Sequence, residues 1–530
     1  MKKMFMGIDS STQSLKAVFI DEKLKIISKF SVNFDKDLPE FGTQGGVHKS
    51  RDGLTVTSPP LMWCKALDLL LDKIAREKIP LKNVMAVSGS GQQHGSVWLK
   101  KGACDILRKL DADKPLYEQA AGIFSFKDSP VWMDSSTTAY CRKFEKKMGS
   151  ADIVAKITGS RAYERFTGSQ IAKRFDKERN KYFETERISL VSSFMASLFI
   201  GDYAPVDFSD GSGMNLLDIN TRRWPQKALD FTAPGLLEKL GEPVASYKVV
   251  GKIHPWFVKR YGFNPECVIV AFSGDNPNSL AGLRAKKAGE IIISLGTSDT
   301  IFASLKKPKP SPSEGHIFVN PVAPDGYMAL ICYKNGSLTR EYVRNSLNCR
   351  SWKEFGNLVA HSPVGNSGNI GFFIKEPEIT PPILRTGIYR FNNKGQFISS
   401  FAPEVEARAV LEGQFLSMRL HGGNIGIKPV SILVTGGASV DKTLIRIIAD
   451  VFGVSVYAGD EPDSAALGAA YRALHGWKCD RIGKFVLFEN IVACAPKFKL
   501  VAKADMNAHK VYTAMLLRYA ALEKKVVGKR

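Results

Sequence analysis

The feature that most constrains this chain is a short unit that it carries twice. Near the start, the apolar run Met4-Phe5-Met6-Gly7-Ile8 gives way to the polar turn Asp9-Ser10-Ser11-Thr12-Gln13, then to a second run from Lys16 to Ile20. The pattern returns about 287 residues later, counting Ser10 to Thr297, as Glu290 to Leu295, Gly296-Thr297-Ser298-Asp299-Thr300 and Ile301 to Leu305. Each copy predicts strand, hydroxyl-rich turn and strand. A third variant runs from Ser431 to Thr435, through Gly436-Gly437-Ala438-Ser439, into a helix that reaches Val451. Two copies imply two related halves, since a solenoid needs more.

The surrounding pattern is mixed. Leu24 to Phe34 alternates as a strand does, Leu61 to Ile74 has helical periodicity, and Val84 to Val87 is a short buried strand. Strands and helices at this spacing indicate an α/β architecture. We place a first domain at 1–285, after the turn Gly274-Asp275-Asn276-Pro277, a second at 286–482, and a basic C-terminal extension at 483–530. In that extension Ala508 to Leu522 has the spacing of an amphipathic helix, expected to dock on its own domain rather than on a membrane. The run Lys306 to Pro312 reads as a surface loop of the second half.

Charge enters next. Seventy-four Lys and Arg against 52 Asp and Glu give +22, which suggests nucleic acid, an anionic membrane or an anionic small ligand as partner. No nucleic-acid motif accompanies the charge, and no apolar run approaches the ~18 residues of a membrane span. The eight cysteines include no Cys-x-x-Cys pair, which leaves zinc fingers and disulfide frameworks unsupported. Asp9 cuts the N-terminal apolar run too short for a signal peptide. The expectation is a cytoplasmic protein, monomer or homodimer, with neither nucleic acid nor membrane as partner.

The turns carry the chemistry. Backbone N–H groups and Ser/Thr hydroxyls after a strand can converge on phosphate oxygens. Such turns also need Gly and Ser for geometry alone. The P-loop pattern fails, because Gly436 to Thr443 has Asp441 in place of its second Gly; Gly89 to His94 likewise misses the dinucleotide fingerprint. Asp9, at the mouth of the first turn, could hold Mg²⁺ through water, or accept nearby backbone N–H bonds. Asp275, just past the strand Val268 to Phe272, could take a proton from a substrate hydroxyl. The commoner outcome for such a residue is a cap on the helix Pro277 to Leu283. Gln92, Gln93 and His94 suit the hydroxyls of a sugar, or are structural. Arg165 could reach a hydroxyl, or pair with Glu164.

In this order the motifs resemble those of the FGGY carbohydrate kinases. The carriers are Gly7 to Thr12, Ser294 to Ser298, Glu406 to Gly413 and Thr435 to Ser439. Within that family the chain is most similar to the branch that phosphorylates xylulose in eukaryotes. That match rests on Asp37 to Val47, Gly91 to Ser96, Trp132 to Ser136, Gly159 to Gly168 and Ser273 to Pro277. The resemblance implies two actin-like ATPase (ribonuclease H-like) domains with the active site in the cleft between them. It implies D-xylulose and ATP as substrates and Mg²⁺ as the metal. His94, Arg165, Asp275 and Asn276 would hold the ketose, with Asp275 as base. Asp9 would sit near Mg²⁺, Thr12 in the first phosphate turn, and Gly296, Thr297 and Ser298 in the second. Gly436, Gly437, Ala438 and Asp441 would hold the adenosine, with Trp352 beside them. Asp441 stands where the family often has Asn, which can donate as well as accept. A related kinase of ribulose, glycerol or gluconate is the nearest alternative, and a non-catalytic basic protein on the same fold a more distant one.

Overall fold

A computed structural model of the chain describes residues 2–459 and 463–528. The chain forms two compact units. One comprises residues 2–286, 318–326 and 463–495, and the other residues 287–317, 327–459 and 496–528.

In the first unit, Met4–Ser10 and Ser14–Asp21 form the expected hairpin, and Ile26–Asn33 extends it antiparallel. On its other side Met4–Ser10 runs parallel to Val84–Gly91, which is followed in the sheet by Val268–Val270 and Val249–Lys252. Every residue of Met4–Ser10 is buried because helices cover both faces. Met4, Met6 and Ile8 join the helix Pro60–Arg76 through Met62, Trp63, Ala66 and Leu67. Phe5, Val18 and Ile20 join the helix Ser464–Ile482 through Ala466, Leu467, Ala470 and Leu474. Each such Leu, Ile, Val, Met or Phe removed from water contributes about 1.5–3 kcal/mol. Gly7 lies on the second face, where a Cβ would come within 2.1 Å of the Ala466 carbonyl oxygen. Only glycine lets that helix lie against the strand.

The second unit repeats the plan. Glu290–Leu295 and Asp299–Leu305 form a hairpin, Tyr327–Tyr333 adds antiparallel to it, and Ser431–Thr435 lies parallel on the other side, followed by Val456–Ala458. Hairpin, antiparallel third strand and parallel fourth and fifth strands thus occur in the same order in both units. This is the duplication that the two turns announced.

Three details differ from the sequence reading. The division at 285 and 482 is contiguous, whereas compactness groups Ser464–Ile482 with the first unit. The reason is steric and apolar: Gly282 and Gly468 let this helix cross Asp275–Gly282 so closely that a Cβ on either would meet backbone within 2.0 Å. Second, Gly274 to Pro277 is no turn, because the strand Ser273–Gly274 passes directly into the helix Asp275–Gly282. Third, the C-terminal helix is longer than read, Met506–Val527. It is capped by Asp505 and buries Tyr512, Met515, Tyr519 and Leu522 against its own unit. Lys529 and Arg530, the end of the predicted extension, lie outside the described residues.

Candidate active site

In the first unit the sheet places carboxylates at the C-terminal ends of parallel strands, where open α/β sheets bind ligands. Asp9 pairs in register with Ser90, and Ser90 with Ser273, two residues before Asp275. The Asp9 side chain is buried, and Ser90 Oγ donates to its Oδ1 at 2.7 Å. Burial raises its pKa, opposed by the Ser90 bond and by the charge of Lys16. Lys16 is itself held by Asp463 at 2.8 Å. Thr12, in the turn beyond, accepts a hydrogen bond from Trp132 Nε1 at 2.9 Å.

Asp275 is not the helix cap that the sequence favoured. The N-cap is Gly274, and Asp275 is the first helical residue, with Oδ1 accepting from the Asn276 backbone N–H at 2.8 Å and from Asn276 Nδ2 at 3.0 Å. Burial pushes its carboxyl up to about 7, and the negative charge of Asp9 adds to the shift. A carboxylate released from capping and poised near neutrality is suited to accept a proton.

His94 adopts φ 69°, and its carbonyl accepts from Thr167 Oγ1 at 2.9 Å. Its ring stacks on Phe166, with centroids 4.2 Å apart. Nδ1 lies 2.7 Å from the Gly213 carbonyl, which can only accept, so Nδ1 carries the proton and Nε2 is left as an acceptor. Burial and the charge of Arg165 hold the ring's pKa down at about 3, which keeps it neutral. Arg165 lies over the Tyr163 ring at 5.8 Å, while Glu164 accepts from Thr138 instead. Asn276 Nδ2 also donates to Gln93 Oε1 at 2.8 Å. The loop Gln92 to His94 and the start of the helix at Asp275 are thus directly bonded.

The second unit holds a cavity of about 850 Å³ lined by Gly296, Thr297, Trp352, Gly437, Ala438 and Asp441. These are six of the eight residues expected in this unit to contact nucleotide. The other two lie elsewhere. Ser298 is exposed in its turn outside the lining. Gly436, at φ 89°, passes so close to the Leu295 carbonyl that a Cβ would be 2.5 Å from it, a steric reason for glycine. Asp441 caps the helix Lys442–Phe452 by accepting from the Leu444 N–H at 3.0 Å. Asn caps equally well, so the departure at this position leaves the helix start intact. Trp352 opens the helix Trp352–Ala360, 40% exposed, with Arg344 4.6 Å from its ring centre.

Sequence reasoning missed several lining residues, among them Arg340, Lys353, Asn357 and Lys442. Arg340 is buried and doubly bonded to Asp299 at 2.6 and 3.1 Å. Asp299, read in the second turn, opens the strand Asp299–Leu305, and its carboxylate was the signal that a buried cation lay nearby. The motif Glu406 to Gly413 serves packing: Glu406 pairs with Arg390, Arg408 with Glu412, and a Cβ on Gly413 would be 2.5 Å from the Gly371 carbonyl oxygen. Among the described residues no three His, Cys, Asp or Glu side chains cluster as a metal cage, and no helix is long and apolar enough to cross a membrane.

Residues 4–282 match the N-terminal domain of the FGGY family of carbohydrate kinases, and residues 291–477 its C-terminal domain. The chain is 51% identical to a protein of Mus musculus called xylulose kinase, covering 99% of this chain and 95% of that one. It is 50% identical to a Rattus norvegicus protein of the same name, covering 100% and 98%. A crystal structure of ligand-bound xylulose kinase from Lactobacillus acidophilus superposes with a TM-score of 0.78 at 20% identity, covering 99% of each chain.

Proposed function

The chain belongs to the FGGY family of carbohydrate kinases, and from that premise we propose that it transfers the terminal phosphoryl group of ATP to the terminal hydroxyl of D-xylulose. The observation that carries this reading is Asp275. It is a carboxyl raised to about 7 at a strand end, bonded through Asn276 to the loop that bears His94. The product is D-xylulose 5-phosphate.

Each residue then has a chemical task. Asp275 accepts the proton of the attacking hydroxyl, a contribution of about 10²–10⁴-fold for a well-placed general base. His94, neutral with Nε2 open, accepts a sugar hydroxyl, and Arg165 and Asn276 supply further hydrogen bonds that orient the ketose. In the second unit the cavity accepts the nucleotide, with Gly296 and Thr297 toward the phosphates and Gly437, Ala438 and Asp441 toward the adenosine. Thr12 belongs to the phosphate end in the first unit.

The residues fit Mg²⁺ bound to phosphates rather than a resident metal. Mg²⁺ keeps several waters and takes one or two carboxylates beside substrate phosphates. Asp9 offers one buried carboxylate, with Oδ1 committed to Ser90 and, among the described residues, no protein cage around it. Bound there, the ion would neutralise charge on the phosphates. The surplus of +22 favours the encounter with anionic nucleotide. The cytoplasm, where ATP and reduced thiols abound, suits a chain with eight cysteines and no disulfide framework.

Product analysis tests the reading. Purified protein with Mg²⁺, ATP and D-xylulose should give a ketose monophosphate carrying phosphate on C5. Phosphate on another carbon, or ATP hydrolysis indifferent to sugar, would refute it.

A further inference from the structure

Behind the sugar-facing residues runs a buried polar chain in which each hydrogen bond dictates the next. Asp210, on the short helix Phe208–Gly211, is 1% exposed. Its Oδ2 lies 2.5 Å from Ser192 Oγ, and its Oδ1 accepts from Gln93 Nε2 at 3.4 Å. Gln93 Oε1 accepts from Asn276 Nδ2, which also donates to Asp275 Oδ1. The packing leaves no slack, since a Cβ on Gly274 would be 2.5 Å from Gln93 Cγ and 2.7 Å from Asp210 Oδ1.

We propose that Asp210 is a positioning residue for the sugar site, acting through Gln93 to fix which end of the Asn276 amide faces Asp275. The logic is that of donors and acceptors. An oxygen of Asp210 facing Gln93 requires the Nε2 end of that amide, so Oε1 must point to Asn276. An oxygen there requires the Nδ2 end of Asn276, so the same NH₂ group reaches the base and Asn276 Oδ1 is left for a sugar hydroxyl. Without Asp210, only Asp275 still selects the NH₂ end of Asn276, and Gln93 and Asn276 can turn over together. The Asn276 oxygen would then face the carboxylate of Asp275.

Burial, the adjacent Asp207 and the charge of Asp275 raise the pKa of Asp210, opposed by the hydrogen bonds from Ser192 and Gln93. Ser192 Oγ donates to Oδ2, the short contact, and Gln93 Nε2 donates to Oδ1. Asp207 fills a different role, with Arg472 as counter-charge and hydrogen bonds from Ser246 Oγ and the Asp210 N–H. An asparagine keeps the acceptor that Gln93 needs: its oxygen accepts from Gln93, and its NH₂ can donate to the Ser192 hydroxyl oxygen.

This inference rests on the kinase reading, and its test separates the two. In wild-type protein with activity on D-xylulose, Asp210→Ala should lower sugar kcat/KM about tenfold or more, the scale of one lost buried hydrogen bond, with KM for ATP within about twofold. Asp210→Asn should restore kcat/KM to within about threefold, and Gln93→Met, which keeps volume but not hydrogen bonding, should repeat the loss. Should Asp210→Ala not fold, Gln93→Met decides. Retention of activity by both loss variants overturns the proposal, as does damage by Asp210→Asn equal to that by Asp210→Ala. If the wild type phosphorylates no sugar, the kinase reading fails, and the orientation of the Asn276 amide judges the positioning role. In Asp210→Ala or Gln93→Met the Asn276 NH₂ should no longer donate to Asp275, read from its protons by neutron diffraction or NMR, and an NH₂ still bonded to Asp275 overturns the proposal.

Discussion

His421 of the helix Pro403–Asn424 lies 3.1 Å from Glu523 of the C-terminal helix, and its other ring nitrogen lies 2.7 Å from Glu314. All three side chains are buried or nearly so. Burial alone would lower the imidazole's pKa, but the bonds to Glu314 and Glu523 and their charges override it and hold the ring at about 9. The C-terminal helix is thus fastened by a protonated histidine between two carboxylates.

The folded pKa is above the unfolded value of 6.5, so the stabilisation is complete below that pH and vanishes as pH rises through about 9. Its size is on the order of 3 kcal/mol. Thermal melts at about pH 7 and pH 10 should show a larger loss of Tm for the wild type than for His421→Leu. Equal losses would show that the histidine carries no linkage.

Asp275→Asn keeps the shape and the bonds to its neighbours but cannot take a proton. Turnover with sugar should fall by about 10²–10⁴-fold while the melting temperature stays near the wild-type value. Retention of more than about a tenth of kcat would remove Asp275 as the base.

The acid limb of kcat/KM for sugar should follow the same residue. Burial and Asp9 hold Asp275 at about 7, so the carboxylate form, and with it the rate, is lost as pH falls through that value. A rate independent of pH from about 6 to 8 would contradict the assignment. His94, held at about 3, contributes no step in this range.

Asp441 caps a helix at the edge of the cavity. Asp441→Ala should cost about 1 kcal/mol of stability, whereas Asp441→Asn should cost almost nothing. Chemical denaturation of the three proteins measures both differences. An equal cost for both substitutions would mean that the charge, rather than the cap, holds the turn.

Much of this was legible in the sequence, for physical reasons that differ from residue to residue. The two hairpins could be read because strand, polar turn and strand leave a hydropathy signature that needs no tertiary knowledge. Asp9 and Asp275 could be singled out because each follows an apolar run that has to be buried. The role of Asp275 could not be read locally. Its freedom from capping depends on Gly274 taking the N-cap, and its raised pKa on burial and on Asp9. Arg340 and Asp210 were missed because their partners, Asp299 and Gln93, are distant in the chain. The placement of Ser464–Ile482 was missed because glycine-to-backbone contacts at Gly7 and Gly282 have no periodic signature.

The most direct test of the central claim is coupled ADP release, with Mg·ATP constant, across D-xylulose, D-ribulose, glycerol and gluconate. The expected result is sugar-dependent turnover with kcat/KM for D-xylulose at least about tenfold above every other acceptor, a margin of ~1.4 kcal/mol in the transition state. A higher kcat/KM for ribulose, glycerol or gluconate, or ADP release that ignores the sugar, would contradict it.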